Sequence, residues 1–121
     1  MKHAASSLNQ ILTALADPTR RAILHRLSTA DARVTEIARP FRMSLNAVSK
    51  HIRVLERARL VRRRRAGREH FLSFNPAPLN DATAWMEGQR ALWSARLNAL
   101  DAMLQAEDRA SFDSKTKGSM R

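Results

Sequence analysis

The chain has 121 residues, 44% of them hydrophobic, which suits one small core and excludes a large catalytic cleft set between two lobes. Cysteine is absent, so disulfides, thiolate metal ligands, thiol nucleophiles and thiol redox sensing are excluded together. The formal net charge is +11, and the excess lies in residues 1–80, which carry 16 Lys or Arg against five Asp or Glu, whereas residues 81–121 carry six of each. Such asymmetry points to a polyanionic partner for the first two-thirds, nucleic acid or an anionic membrane surface.

The opening MKHAASSLNQILTALA is broken by Asn9, Gln10 and Thr13, so no signal peptide is expected. No stretch approaches the roughly 20 apolar residues of a bilayer span. A soluble, cytoplasmic protein is the expectation. Leu8, Ile11, Leu12 and Leu15 recur at helical spacing and predict a short amphipathic first helix. Asp17 and Pro18 predict the next helix start, with Asp as N-cap and Pro at the first helical position, where no amide donor is lost. The second helix, from Thr19 to about Ser28, is expected to bury Ile23, Leu24 and Leu27 and to expose Arg20, Arg21 and Arg26.

Beyond a polar break at residues 29–33, Thr35 is expected to cap a short helix carrying Ile37, Ala38 and Phe41, with Pro40 inside it. A tight turn of three to four residues then leads to Ser44, a second N-cap. The helix from Leu45 to about Arg57 places Leu45, Val48, Ile52 and Leu55 on one side and Asn46, Lys50, Arg53 and Arg57 on the other. Two extended runs around Gly67, residues 60–65 and 68–74, predict a β-hairpin that Pro76 and Pro78 terminate. A long last helix is expected over residues 79–107, with an apolar face too long for so small a core and therefore expected to meet a second subunit. Residues 108–121 are expected to form a polar, disordered tail.

A short helix, a turn and a longer helix make a helix-turn-helix. The longer helix offers Asn46, Ser49, Lys50 and Arg53 away from its apolar side; Asn pairs with adenine, and Lys or Arg with guanine or phosphate. The hairpin comes directly after it, with five Arg among residues 62–68, suited to the backbone or the negative potential of a minor groove. Each element alone is weak evidence, since charged helix faces are commonly just solvated. Their order and the local charge carry the reading.

The strings LADPTRRAILHRL, VTEIARPFRMSLNAVSKHIRVLERARLV and RRRRAGREHFLSFNP resemble consecutive segments of the arsenic-repressor (ArsR/SmtB) family, over about residues 8–104. MSLNAVSKHIRVLE is the most specific of these, being similar to that family's recognition-helix pattern S-x-x-x-V-S-x-H-L-x-x-L. The resemblance implies a fold that is mainly α with a small β-hairpin, a winged helix-turn-helix over residues 1–107, forming a homodimer through its first and last helices. It implies double-stranded DNA as partner, read by Ser44, Asn46, Ser49, Lys50, His51 and Arg53, with Arg64, Arg65 and Arg68 anchoring the wing. The dimer interface it implies draws on Leu8, Ile11, Leu12 and Leu15 of the first helix. The last helix adds Trp85, Met86, Trp93, Leu97, Leu100 and Leu104.

Two departures from the family stand out. Relatives usually have Gly at the exit of the recognition helix, where this chain has Arg59; a left-handed backbone there would carry strain of about 1 kcal/mol. Relatives that sense metal do so through Cys pairs before the recognition helix or Asp and His on the last helix. This chain has no Cys, no His in residues 79–107, and His3, His25, His51 and His70 on separate elements, so neither a metal nor a cofactor is expected. Trp85, Met86 and Trp93 are read as packing residues rather than an effector pocket, and no effector is legible. No enzymatic activity is expected: Ser44 or Ser49 near His51 lacks an orienting acid. The rival reading is an architectural nucleic-acid binder without sequence preference. A membrane-surface role lacks an apolar helix face beside the basic residues.

Overall fold

The computed structural model describes residues 2–119, with side-chain surroundings for residues 7–114. Its elements are α1 (Lys2–Leu15), α2 (Pro18–Thr29), β1 (Ala32–Arg33), α3 (Val34–Ala38), α4 (Leu45–Arg57), β2 (Val61–Ala66), β3 (Glu69–Phe74) and α5 (Ala77–Ser119). They fall into two compact units, one ending at Thr83 and one beginning at Ala84. Among the described residues no helix is long and apolar enough to cross a membrane.

The first unit is mainly helical with a small antiparallel sheet. Its core is wholly apolar, built from Ile11, Ile23, Leu24, Leu27 and Ile37 of the first helices together with Val48, Ile52 and Leu55 of α4. Leu60, Val61 and Leu72 close it from the sheet side, and Ala82 seals it from the first turns of α5. Asp17 caps α2 as expected, its carboxylate accepting from the Arg20 amide at 3.0 Å, with Pro18 behind it. Arg20 is not simply solvated. Its guanidinium donates back to the carbonyls of Ala14 (2.8 Å) and Thr13 (2.7 Å), and Arg21 donates to that of Leu15 (2.7 Å). The free carbonyls at the end of α1 are thus satisfied by side chains of α2.

Four local expectations are corrected between α2 and α4. Residues 32–33 form a strand, β1, pairing Ala32 with Leu72 and Arg33 with Phe71, so the hairpin grows to a sheet of order β1-β3-β2. Helix α3 starts at Val34, not after Thr35, with Arg33 as N-cap; the Arg33 amide donates to Glu36 Oε1 at 3.4 Å. It ends at Ala38, so Pro40 lies outside it and deletes no helical hydrogen bond. Residues 39–44 then connect α3 to α4, a longer link than expected.

Helix α4 has the expected bounds and cap: Ser44 Oγ accepts from the Ala47 amide at 3.1 Å. Its exit is a Schellman turn, in which the Leu60 amide reaches the Leu55 carbonyl (3.0 Å) and the Arg59 amide reaches that of Glu56 (2.9 Å). Leu55 and Leu60 are both fully buried, which supplies the apolar contact that usually accompanies this turn. The geometry puts Arg59 at φ +62°, the left-handed position that favours glycine. Asn75 stabilises it, donating from Nδ2 to the Arg59 carbonyl at 2.9 Å. At the hairpin tip Gly67 has φ +65° as the first of two turn residues between paired Ala66 and Glu69, which is the place type II′ turns reserve for glycine.

The second unit is the remainder of α5, a single helix on which every described side chain is exposed. The helix expected to stop at Glu107 continues to Ser119, so residues 108–119 are helical rather than the disordered tail read from their polarity. Residues 120–121 lie outside the described range.

Replacing Arg59 with Gly removes the left-handed strain at the cost of a more flexible unfolded chain. The net expectation is a gain of about 0.5–1 kcal/mol in urea unfolding at unchanged m-value. Destabilisation by this substitution would show that the Arg59 side chain contributes more to the fold than its backbone costs.

Candidate nucleic-acid interface

Burial fixes the rotation of α4 about its axis. Val48, Ile52 and Leu55 are at zero exposure, and Lys50 and Arg53 between them point outward. Asn46, Lys50 and Arg53 are exposed and Ser49 is half-buried. Separations of three, four and seven residues put these four on one helical face. Leu45, expected among the buried residues, is instead 52% exposed beside Asn46 in the first turn, and Met43 is exposed just before it. The link into α4 also exposes Arg39 and Arg42.

The wing is joined to α4 by an ion pair. Arg63 of β2 donates to both carboxylate oxygens of Glu56, at 2.8 and 3.4 Å. On the far side Arg33 bridges Glu36 (2.6 Å) and Glu69 (2.9 Å), tying the start of α3 to the first residue of β3. The Arg33 guanidinium holds the Glu36 carboxyl below the usual carboxylate range, and its own pKa rises in return. The other wing arginines are exposed. Arg64 lies over the Phe71 ring at 5.2 Å, Arg65 donates to the Gly67 carbonyl at 3.0 Å, and Arg68 stands at the tip without a side-chain partner among the described residues. The arrangement is a polar helix face beside a basic strand pair, both packed on one core.

Residues 15–64 match a family model described as a helix-turn-helix domain. Over 79 residues the chain is 34% identical to the transcriptional repressor SdpR of Bacillus subtilis, spanning 65% of this chain and 88% of SdpR. Over 66 residues it is 47% identical to the HTH-type transcriptional regulator Rv2034 of Mycobacterium tuberculosis, spanning 54% of this chain and 62% of that one. The crystal structure of an ArsR family transcriptional regulator superposes with a TM-score of 0.71 at 42% identity, covering 74% of this chain and 93% of the other. The chain belongs to the ArsR family of transcriptional regulators.

In this ArsR-family DNA-binding regulator the residues expected at the interface fall into three groups. Asn46, Lys50, Arg53, Arg64, Arg65 and Arg68 are exposed on α4 and the wing. Ser44 and Ser49 sit at their edge, Ser44 already engaged as a cap. His51 does not join them. It is half-buried against the first helices, its Nδ1 3.3 Å from an Arg20 guanidinium nitrogen and 3.8 Å from Asp17 Oδ2. These contacts make His51 a brace between α4 and the start of α2. Among the described residues no group of three or more His, Cys, Asp or Glu is placed to hold a metal ion.

Leu45, Arg39 and Arg42 are exposed beside this face without a signal in the sequence that places them there. Periodicity assigns Leu45 to the apolar side, and nothing local tells where the core stops. The two arginines lie in residues 39–44, a longer link than the three to four residues expected.

The expected dimer residues also divide. Trp85, Met86, Trp93, Leu97, Leu100 and Leu104 are all about half exposed. Ile11 is 1% exposed within its own chain and cannot meet a partner, while Leu8 and Leu15 pack partly on the same core and Leu12 is half-buried.

Asp17 links this brace to pH. The backbone hydrogen bond from Arg20 lowers its pKa, with the charges of His51 and Arg20 adding to the shift against some desolvation. A depressed carboxyl contributes stability that is complete above its unfolded value, near pH 4, and is lost as pH falls through the folded one. Asp17→Ala is therefore expected to cost about 0.5–2 kcal/mol at neutral pH. Urea unfolding of both proteins should show a gap that is constant above pH 5 and narrows only below about pH 4. A gap that stays unchanged below pH 4 would show that the ionised carboxylate is not what the cap depends on.

Proposed function

We propose that the chain is a repressor that binds an inverted-repeat operator as a homodimer, each copy placing α4 in a major groove and its wing along the flanking backbone. The carrying observation is the outward face of Asn46, Ser49, Lys50 and Arg53 on a helix whose opposite face is fully buried. Asn46 reads a base edge, Lys50 and Arg53 contact guanine or phosphate, and the exposed Leu45 offers an apolar contact to a thymine methyl. Arg64, Arg65 and Arg68 anchor the wing electrostatically. Occupying a promoter blocks polymerase, which fits the repressor SdpR among the relatives.

Dimer formation is supported by α5. Trp93, Leu97, Leu100 and Leu104 succeed one another at steps of four, three and four, the a/d spacing of a helix seam, and all are at least half exposed. An apolar stripe of this kind, together with Trp85 and Met86, is covered by the same stripe of a second copy. Two recognition helices then sit about one DNA turn, roughly 34 Å, apart. The reading needs no metal or other cofactor and places the protein in the cytoplasm with its promoter.

The test is a titration of DNA from upstream of the protein's own gene beside a scrambled duplex of equal length, at several salt concentrations and without zinc. A preference of about 10³-fold or more is expected. Equal binding to both duplexes, fading steeply with salt, would support the architectural reading that the arginine-rich wing also fits. On the preferred duplex Arg53→Ala is expected to lose about 1–3 kcal/mol, and Arg68→Ala to lower the salt slope by about one at little loss of preference. Leu97→Glu with Leu100→Glu is expected to leave a folded monomer by sedimentation, with operator binding weakened far more than binding to scrambled DNA.

A further inference from the structure

The basic surplus is not all on the face assigned to DNA. A cleft of about 590 Å³ opens where the end of α4, the base of β2, α1 and the start of α5 converge, and its walls include Arg57, Arg59, Arg62, Gln10, Asn75 and Asp81. Three guanidinium groups and one carboxylate leave it with a formal surplus of two positive charges. None of those four charged side chains has a hydrogen bond or ion pair among the described residues. By contrast Arg20, Arg21, Arg33 and Arg63 all bind acceptors of the fold itself.

DNA does not account for this cluster. The N-terminal residues of a recognition helix enter the groove, and Arg57 lies eleven residues beyond Asn46, roughly 16 Å along the axis. Arg59 also holds a left-handed backbone that glycine would adopt without strain, and such strain tends to persist where a side chain has a task. Guanidinium groups match phosphate and carboxylate oxygens two at a time, and a cleft of this size falls within the range of small-molecule sites.

We infer that this cleft is a binding site for a small organic anion carrying at least two negative charges, as a phosphate monoester or a dicarboxylate. Its walls join the exit of the recognition helix to the wing base and to the helices assigned to dimer formation, so occupancy is positioned to alter DNA affinity. That regulatory step rests on the function proposed above; the binding step does not.

The experiment uses the full chain without DNA, titrated with glycerol 3-phosphate in one arm and succinate in the other, each against sodium chloride at matched ionic strength. Backbone amide shifts are tracked by NMR. Saturable shifts clustered at Arg59, Arg62, Asn75 and Asp81 are expected in at least one arm, and the stronger arm identifies the anion type. Arg57→Ala with Arg62→Ala should weaken that binding at least about tenfold. Arg59→Gly should weaken it as well while raising thermal stability, a combination that misfolding does not produce. Arg64→Ala, Arg65→Ala and Arg68→Ala together should lose DNA and keep the anion. Absence of saturable shifts in both arms would overturn the site, as would equal loss from the cleft and the wing variants. Either failure leaves the DNA titration above untouched.

Discussion

Three side chains without exposed surface, Val48, Ile52 and Leu55, seat α4 on the core, and what the molecule can present to DNA depends on that seating. A rotation of one residue, 100°, would carry either Ser49 and Arg53 or Ala47 and His51 toward a core in which no polar side chain is buried among the described residues. Burying an unpaired guanidinium is far more costly than losing one methyl contact, so the helix is pinned from both sides. The Schellman turn at its end carries the same constraint into the wing. Leu60 is locked in the core one residue after Arg59, and Val61 starts the strand whose Arg63 returns to Glu56. Recognition helix and wing therefore move as one body.

Charge is sorted by the same logic. Some arginines satisfy the fold, closing the carbonyls of α1 or bridging Glu36 to Glu69, and these are partly covered or paired. Others are exposed on the wing, on α4 and around the cleft behind it. A net charge of +11 on 121 residues repels itself in the free protein. Bound phosphates relieve that repulsion, and the release of their counterions gives binding its salt dependence. From Ala84 onward the chain carries no comparable surplus, and large apolar residues, Trp, Met, Leu and Phe, stand exposed among its polar ones. The basic surplus and the exposed apolar stripe thus lie on different stretches of one chain.

Much of this was legible in the residues because it rests on local chemistry. Asp17-Pro18 and Ser44 can cap only the helix directly after each of them, Gly67 marks the one tight turn between extended runs, and α4 has the period of its buried face. What escaped depends on contacts distant in sequence. Residues 32–33 become a strand only because Leu72 and Phe71 are there to pair with them. Arg20 looks like surface until the end of α1 arrives beside it, and His51 looks like part of the reading face until Asp17 does. Periodicity gave Ile11 and Leu45 their helix faces but not their neighbours, so one was expected at an interface and lies in the core, while the other was expected in the core and lies outside. The polarity of residues 108–119 argued against order, yet the helix begun earlier continues through them. Arg59 is the instructive middle case: its residue type alone raised the question of strain, and only its φ of +62° answered it.

The central claim is that two copies of α4, seated alike and held one turn apart, read the same groove face of a two-fold site. Hydroxyl-radical footprinting on the tightest duplex selected from a random-sequence pool tests it most directly. Two protected patches related by a dyad are expected, with centres about 10–10.5 base pairs apart. A single protected patch, or even protection along the whole duplex without a dyad, would contradict it.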